Sequence, residues 1–268
     1  MYPIALLATY NEARFIRACL MNLIQQGFQV YLIDNESTDD TVVIARQWCG
    51  RGLIGIESLS RCGQFTWSRI LARKEELAME LQADWFMHVD ADEMRLAPVG
   101  SPTIAAALTA VEHAGCNAVN FVEFTFVPTQ EQPNHDHRYF QVTMRRYYPF
   151  QPMFPHRLNL WKRQQGRVDL VTSGGHRVGF PGLRMFPASF PMRHYLFLSR
   201  EHAIEKYLRR QYDAAELARG WHRGRAGLKE HQIRLVGEQR LRRYVGDAGL
   251  DGTEPFSRHP LFADGAIS

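Results

Sequence analysis

The segment from Trp85 to Arg95, WFMHVDADEMR, runs an apolar, strand-like stretch directly into Asp90, Asp92 and Glu93. Carboxylates packed this closely repel one another, and a divalent cation that prefers hard oxygen ligands is the usual reason to tolerate them at the end of a buried strand. Open α/β sheets bind their ligands outside the carboxyl ends of the strands, so Asp90 and Asp92 stand where a phosphate and its Mg²⁺ or Mn²⁺ would sit. An acidic turn is the plain alternative, and D-x-D alone does not separate the two.

The elements needed to position these acids are legible upstream. Ile4 to Thr9 is a short apolar run, and Asn11 then opens a helical pattern through Phe15, Cys19, Leu20, Leu23 and Ile24 that stops at Gly27. Val30 to Ile33 is a second apolar run ending in Asp34, and Ser37 or Thr38 is placed to cap a second helix with Asp39 and Asp40 in its first turn. A third strand near Ile54 to Leu59, a third helix from Trp67 to Leu81 and a fourth strand at Trp85 to Val89 complete the pattern. Strands and helices alternating at this spacing predict an α/β fold, a mostly parallel sheet with helices on both faces. Beyond Arg95 the pattern predicts a helix over 103–114, a strand over 118–127, a Pro-, His- and Arg-rich subregion, and a helix capped by Ser199 that runs to Arg219.

Polar side chains therefore converge at one sheet edge: Thr9, Tyr10, Asn11 and Glu12 from the first strand, Asp34, Asn35, Ser37 and Thr38 from the second, Asp90 and Asp92 from the fourth. Neither G-x-G-x-x-G nor G-x-x-x-x-G-K-[ST] is present, which disfavours dehydrogenase and P-loop readings. Cys19, Cys49, Cys62 and Cys116 lack C-x-x-C spacing and suit reduced thiols. No stretch reaches the roughly 18 apolar residues of a bilayer span, and the N-terminus shows no signal-peptide pattern. A cytoplasmic location is expected, with peripheral contact at the inner membrane face left open. The net charge of +4 is mild, but 200–243 carries twelve Lys and Arg against six Asp and Glu. Such a patch suits the phosphates of a nucleotide, a polyanionic acceptor or a membrane surface, while a solvated helical face is the plain reading.

Three motifs, ATYNE, IDNESTDDT and HVDADE, occur in that order, and over residues 3 to 95 the chain resembles the family 2 glycosyltransferases of the GT-A fold. The resemblance implies a single GT-A domain over 1–268, with a nucleotide-sugar-binding half (1–98), an acceptor-side half (99–198) and a C-terminal helix with a basic tail (199–268). It implies a UDP- or GDP-sugar donor with Mn²⁺ or Mg²⁺, and a glycan, lipid-linked or small-molecule acceptor, with inversion at the transferred carbon and no nucleic-acid partner. Ala8, Thr9, Tyr10 and Glu12 fall near the base and ribose, Asp34 with Asn35 and Ser37 reads the base, Asp90 and Ala91 lie near the ribose and metal, and Asp92 takes the metal. For Asn11 and Ser37, helix capping is the other reading.

The second half matches the family pattern less closely. An inverting transfer needs a group that takes the acceptor's proton. Glu123, an acid among apolar neighbours in NFVEFTFVP, is the first candidate, and Asp169 and Asp136 follow. His194 in MRHYLFLS and His176 in TSGGHRV are candidate third metal ligands. Arg73, Lys74 and the tail residues Arg223 and Arg225 are candidate helpers at the donor phosphates. A sugar nucleotidyltransferase and a catalytically silent nucleotide- or carbohydrate-binding module remain the alternatives.

Overall fold

A computed structural model describes residues 1–261. The chain runs β1 (Pro3–Thr9), α1 (Ile16–Gln25), β2 (Gln29–Asp34), α2 (Thr41–Arg46), β3 (Leu53–Ser58), α3 (Trp67–Glu80), β4 (Trp85–Asp90), β5 (Glu93–Arg95) and α4 (Ile104–His113). It continues through β6 (Ala118–Phe126), α5 (Phe140–Thr143), β7 (Arg146–Phe150), β8 (Arg157–Lys162), β9 (Phe190–Tyr195), α6 (Arg200–Leu208), α7 (Ala214–Ala218), α8 (Arg223–Ala226) and β10 (Arg242–Arg243). Among the described residues no helix is long and apolar enough to cross a membrane.

Two compact units emerge. The first comprises Met1–Arg61, Trp67–Phe121 and Pro155–Met192; the second comprises Cys62–Thr66, Val122–Phe154 and residues 193–261. Within the first unit β8 returns to pair antiparallel with β4 through Phe86↔Trp161 and Met87↔Leu160.

In the first unit β3, β2, β1 and β4 are parallel neighbours, as the alternation of elements predicts. Ile4, Leu6 and Phe86 pack with Leu71, Leu77 and Ala78 of α3. Ala5 and Leu7, which alternation turns to the opposite face, are equally buried, so both faces of β1 are covered. In the second unit the end of β6 pairs antiparallel with β7, which pairs with β10. Its core joins Val127, Tyr148 and Phe150 to Phe197, Ala203 and Tyr207.

Three local expectations change. Asn11 does not cap α1: it sits at φ 56 and the helix starts at Ile16 without a side-chain cap. Ser37 and Thr38 do not cap α2, whose N-cap is Asp40. The helix begun at Ser199, whose side chain accepts from His202 N, ends at Leu208 and not at Arg219. Asp213 forces that break: Oδ1 caps α7 through Ala215 N and Glu216 N, while Oδ2 accepts from Gln64 and Thr66, a tertiary anchor that a continuous helix would forfeit.

Candidate functional site

Strand register brings the first group of side chains together. Thr9 lies opposite Asp34, and Ala8 lies opposite Asp90, so the last residues of β1, β2 and β4 form one polar edge. Asp34 is buried there, its Oδ2 accepting from Ser37 N at 3.0 Å and its Oδ1 from Thr9 Oγ1 at 3.4 Å. Asn35 donates its backbone N–H to Thr9 O and its Nδ2 to Leu59 O, both at 2.8 Å.

The side chains that do not cap helices instead stitch the two strand-end loops to each other. Asn11 N donates to Ser37 Oγ at 3.0 Å, Thr38 N to Asn11 Oδ1 at 2.7 Å, Glu12 N to Thr41 Oγ1 at 2.7 Å and Ala13 N to Asp39 Oδ2 at 3.0 Å. Each bond satisfies a loop N–H that no ladder or helix reaches, which fixes the edge before any ligand arrives. Arg61, which the sequence reading missed, joins this edge. Its guanidinium lies 3.4 Å from the Tyr10 ring centroid, its backbone N–H donates to Glu36 Oε2 at 2.9 Å, and its Nη1 reaches Asn35 Oδ1 at 3.5 Å. It follows β3 by three residues, so extending the strand-end rule past Ser58 is the signal that finds it.

The acidic triplet separates into two kinds of carboxylate. Glu93, fully buried, pairs with Arg95 Nη2, lies 3.4 Å from Arg157 Nη1, and accepts from Asp90 N at 3.2 Å. Arg95 in turn donates to Asn159 Oδ1 and His88 O and lies over the Phe121 ring. Glu93 is therefore committed to holding the turn together. Burial, then repulsion from Glu93, raises the Asp90 pKa, while Lys74 and Arg157 pull it down.

Lys74 sits wholly buried below this edge, donating to His88 Nδ1 at 2.7 Å and Val89 O at 3.0 Å. Burial lowers its pKa to about 8 against the pull of Asp90 and Glu93. Burial and the Lys74 charge also hold His88 well below the usual histidine range, so the imidazole is neutral. A loop covers that ring. Trp67 Nε1 donates to Gly174 O at 2.8 Å, and a Cβ on Gly175, whose φ is +86, would fall 2.9 Å from His88 Nε2. Only glycine fits there.

Glu123 and His194, assigned separate roles from sequence, form one pair in the second unit. Glu123 is 1% exposed, and its Oε1 meets His194 Nδ1 at 2.6 Å and accepts from Thr125 Oγ1 at 3.0 Å. A carboxylate on Nδ1 fixes the proton there and leaves Nε2 as the lone-pair nitrogen, the arrangement that either a proton acceptor or a metal ligand requires. Tyr148, in hydrogen-bond contact with His259 Nδ1 at 2.6 Å, has its pKa raised well above normal by burial and by the charge of Glu123.

The remaining candidates fall elsewhere. Asp169 is exposed and caps a turn, accepting from Thr172 N at 2.9 Å. Asp136 is exposed as well. His176 is exposed beside Arg157, whose Nη1 lies 3.4 Å from its Nδ1. Arg73 is no phosphate ligand here: its guanidinium is divided among Glu57, Glu76 and Glu80. Arg225 lies 5.7 Å from the Tyr207 ring centroid. The side chain of Arg223 lies outside the described residues.

Residues 5–94 match the family model described as Glycosyl transferase family 2. This span holds all three motifs of the polar edge. No curated protein matches the chain. Among solved structures, it is similar to the mannosyltransferase PcManGT from Pyrobaculum calidifontis in complex with GDP-Man and Mn²⁺, at 22% identity and a TM-score of 0.35 over 45% of this chain and 35% of that one. It is also similar to S. aureus TarS, at 13% identity and a TM-score of 0.41 over 87% of this chain and 45% of that one. Glucosyl-3-phosphoglycerate synthase from Mycobacterium tuberculosis, in complex with Mn²⁺, UDP and glucosyl-3-phosphoglycerate, gives 17% identity and a TM-score of 0.33 over 46% of this chain and 44% of that one. The chain spans less than half the length of each. Likenesses this distant assign no residue role, and the roles rest on the geometry above.

That geometry fits a hard divalent cation. Among the described residues no three His, Cys, Asp or Glu side chains close a metal cage. Asp90 at the end of β4 and Asp92 two residues on carry the hard oxygen donors that Mg²⁺ and Mn²⁺ prefer, and these residues would hold such a cation if a diphosphate supplied the remaining oxygens. A cation would also relieve the repulsion that raises the Asp90 pKa.

Proposed function

We propose that the protein transfers a sugar from a UDP- or GDP-sugar to a glycan, lipid-linked or small-molecule acceptor, with inversion. The observation that carries this reading is the single edge on which β2 ends in Asp34 and β4 in Asp90, with Asp92 in the turn that follows, all within the stretch that matches the glycosyltransferase family model. Asp34, held by Ser37 N, presents a fixed acceptor to the N–H of a nucleobase, and Tyr10 with Arg61 offers a flat platform beside it. Asp92 and Asp90 would hold Mn²⁺ or Mg²⁺, which when bound neutralises charge developing on the departing diphosphate. Lys74 places a buried positive charge near Asp90 that opposes the rise in that carboxylate's pKa.

The acceptor hydroxyl must lose its proton as its oxygen attacks the anomeric carbon and the carbon–diphosphate bond breaks. The Glu123–His194 pair is assigned that proton. Glu123 has almost no exposed surface, so His194 Nε2 is the atom of the pair fitted to receive it, with Glu123 stabilising the imidazolium. Turnover of UDP- and GDP-hexoses with Mn²⁺ and a panel of sugar acceptors tests the reading. Metal-dependent release of nucleoside diphosphate, coupled to acceptor glycosylation, is expected; binding of donors without release from any of them would leave the silent binding module.

A further inference from the structure

The basic excess of 200–243 is not absorbed by the donor edge, and part of it lines a cleft of its own. In the second unit a cleft of about 700 Å³ is bounded by Arg200, Arg234, Arg240, Gln130 and Gln239, over apolar side chains that include Ile233 and Val236. The three arginines come from three separate places: the first residue of α6, the segment after the turn at Glu230–Gln232, and the end of the turn at Glu238–Arg240. Convergence from separate places on one concavity distinguishes them from a charged helix face, where like charges spread apart in solvent.

Their surroundings sharpen the point. Arg200 is held by Glu230, with Nη1 3.1 Å from Oε1 and Nη2 donating to the Glu230 carbonyl at 3.1 Å. Among the described residues neither Arg234 nor Arg240 has a carboxylate within ion-pairing distance, and both are exposed. Glu238, the acid nearest Arg240 in sequence, is turned to Arg146. The floor is rigid: Arg234 N donates to Leu261 O, Gln130 Nε2 to Leu235 O, and Gln130 N to Val236 O. A floor held by these bonds, side-chain amides and two guanidiniums with no carboxylate partner among the described residues match the oxygens of a phosphate group, for which paired arginines provide planar, bidentate donors.

We propose that this cleft is a phosphate-binding site separate from the donor edge, which takes the phosphate monoester or phosphodiester of a larger ligand through Arg234 and Arg240. The chemistry is the same whether the phosphate belongs to a soluble phosphorylated chain or to a lipid headgroup. The cleft acts without metal or nucleotide, which separates its fate from that of the sugar-transfer reading.

Two probes are titrated onto the full chain in EDTA, without nucleotide: inorganic tripolyphosphate, and vesicles of phosphatidylglycerol mixed with phosphatidylcholine. Arg234→Gln/Arg240→Gln is compared with Arg46→Gln/Arg51→Gln, which removes the same charge from the first unit. Loss of charge-assisted bonds predicts at least about tenfold weaker binding of one probe in the cleft variant and little change in the control. Tripolyphosphate responding alone identifies a soluble ligand, and vesicles responding alone identify a lipid headgroup. No binding of either probe to the wild type, or equal weakening in both variants, overturns the site. Equal melting temperatures of the two variants establish that the cleft variant is folded; if it melts lower, Arg240→Lys, which keeps the charge, must restore binding of the probe.

Discussion

The donor edge of the first unit and the Glu123–His194 pair of the second are built in opposite ways. At the edge, Asp34 and Asp90 each end a parallel strand, and loop amides hold the strand-end loops by bonds that span short loops and one βαβ repeat. The pair joins residues 71 positions apart, on two strands whose intervening chain visits both units. Short-range construction leaves a spacing signature in the sequence; long-range construction leaves only an acid among apolar residues and a histidine that resembles any other.

The largest effect that can break this comparison lies in the pair. Glu123→Gln keeps the shape but removes the charge facing His194 Nδ1, and should lower kcat by about 100-fold or more with donor affinity little changed. His194→Ala should cost a similar factor, and the double variant should cost little more than either single one. Additive losses, or activity within a few fold of wild type, would return the proton to another acid.

An effect on stability sharpens the view of the edge. Lys74 keeps its proton to its ordinary value of 10.5 in the unfolded chain but only to about 8 when folded. Between those values the unfolded state binds more protons at this site, so the Lys74 contribution to the stability of the metal-free protein should rise with pH from about 8 to 10, by up to about 3 kcal/mol. Lys74→Met should flatten that rise. Denaturant titrations at several pH values in EDTA read the difference, and identical slopes in wild type and variant would show that Lys74 does not titrate there.

How much of this was legible follows from the same contrast. The order of β1 to β4, their acids and the run of α3 could be read because apolar periodicity and strand-end chemistry are local. The capping roles given to Asn11, Ser37 and Thr38 were misplaced because the same side chains found loop N–H groups on a neighbouring strand. Glu93 stands in one acidic cluster with Asp90 and Asp92 in the sequence, and only its pairing with Arg95 and Arg157 sets it apart. Arg73 read as a helper until three glutamates surrounded it. The end of α6 depends on Asp213 bonding residues about 150 positions earlier, which no window of sequence contains.

The central claim is that Asp92, on the edge shared with Asp34 and Asp90, holds the cation that binds a nucleoside diphosphate. Calorimetric titration of UDP and GDP in the presence and absence of Mn²⁺, on wild type and Asp92→Ala, tests it most directly. Mn²⁺-dependent binding of one nucleotide to the wild type, lost in a variant that melts at the same temperature, is the predicted result; unchanged nucleotide affinity in Asp92→Ala would contradict it.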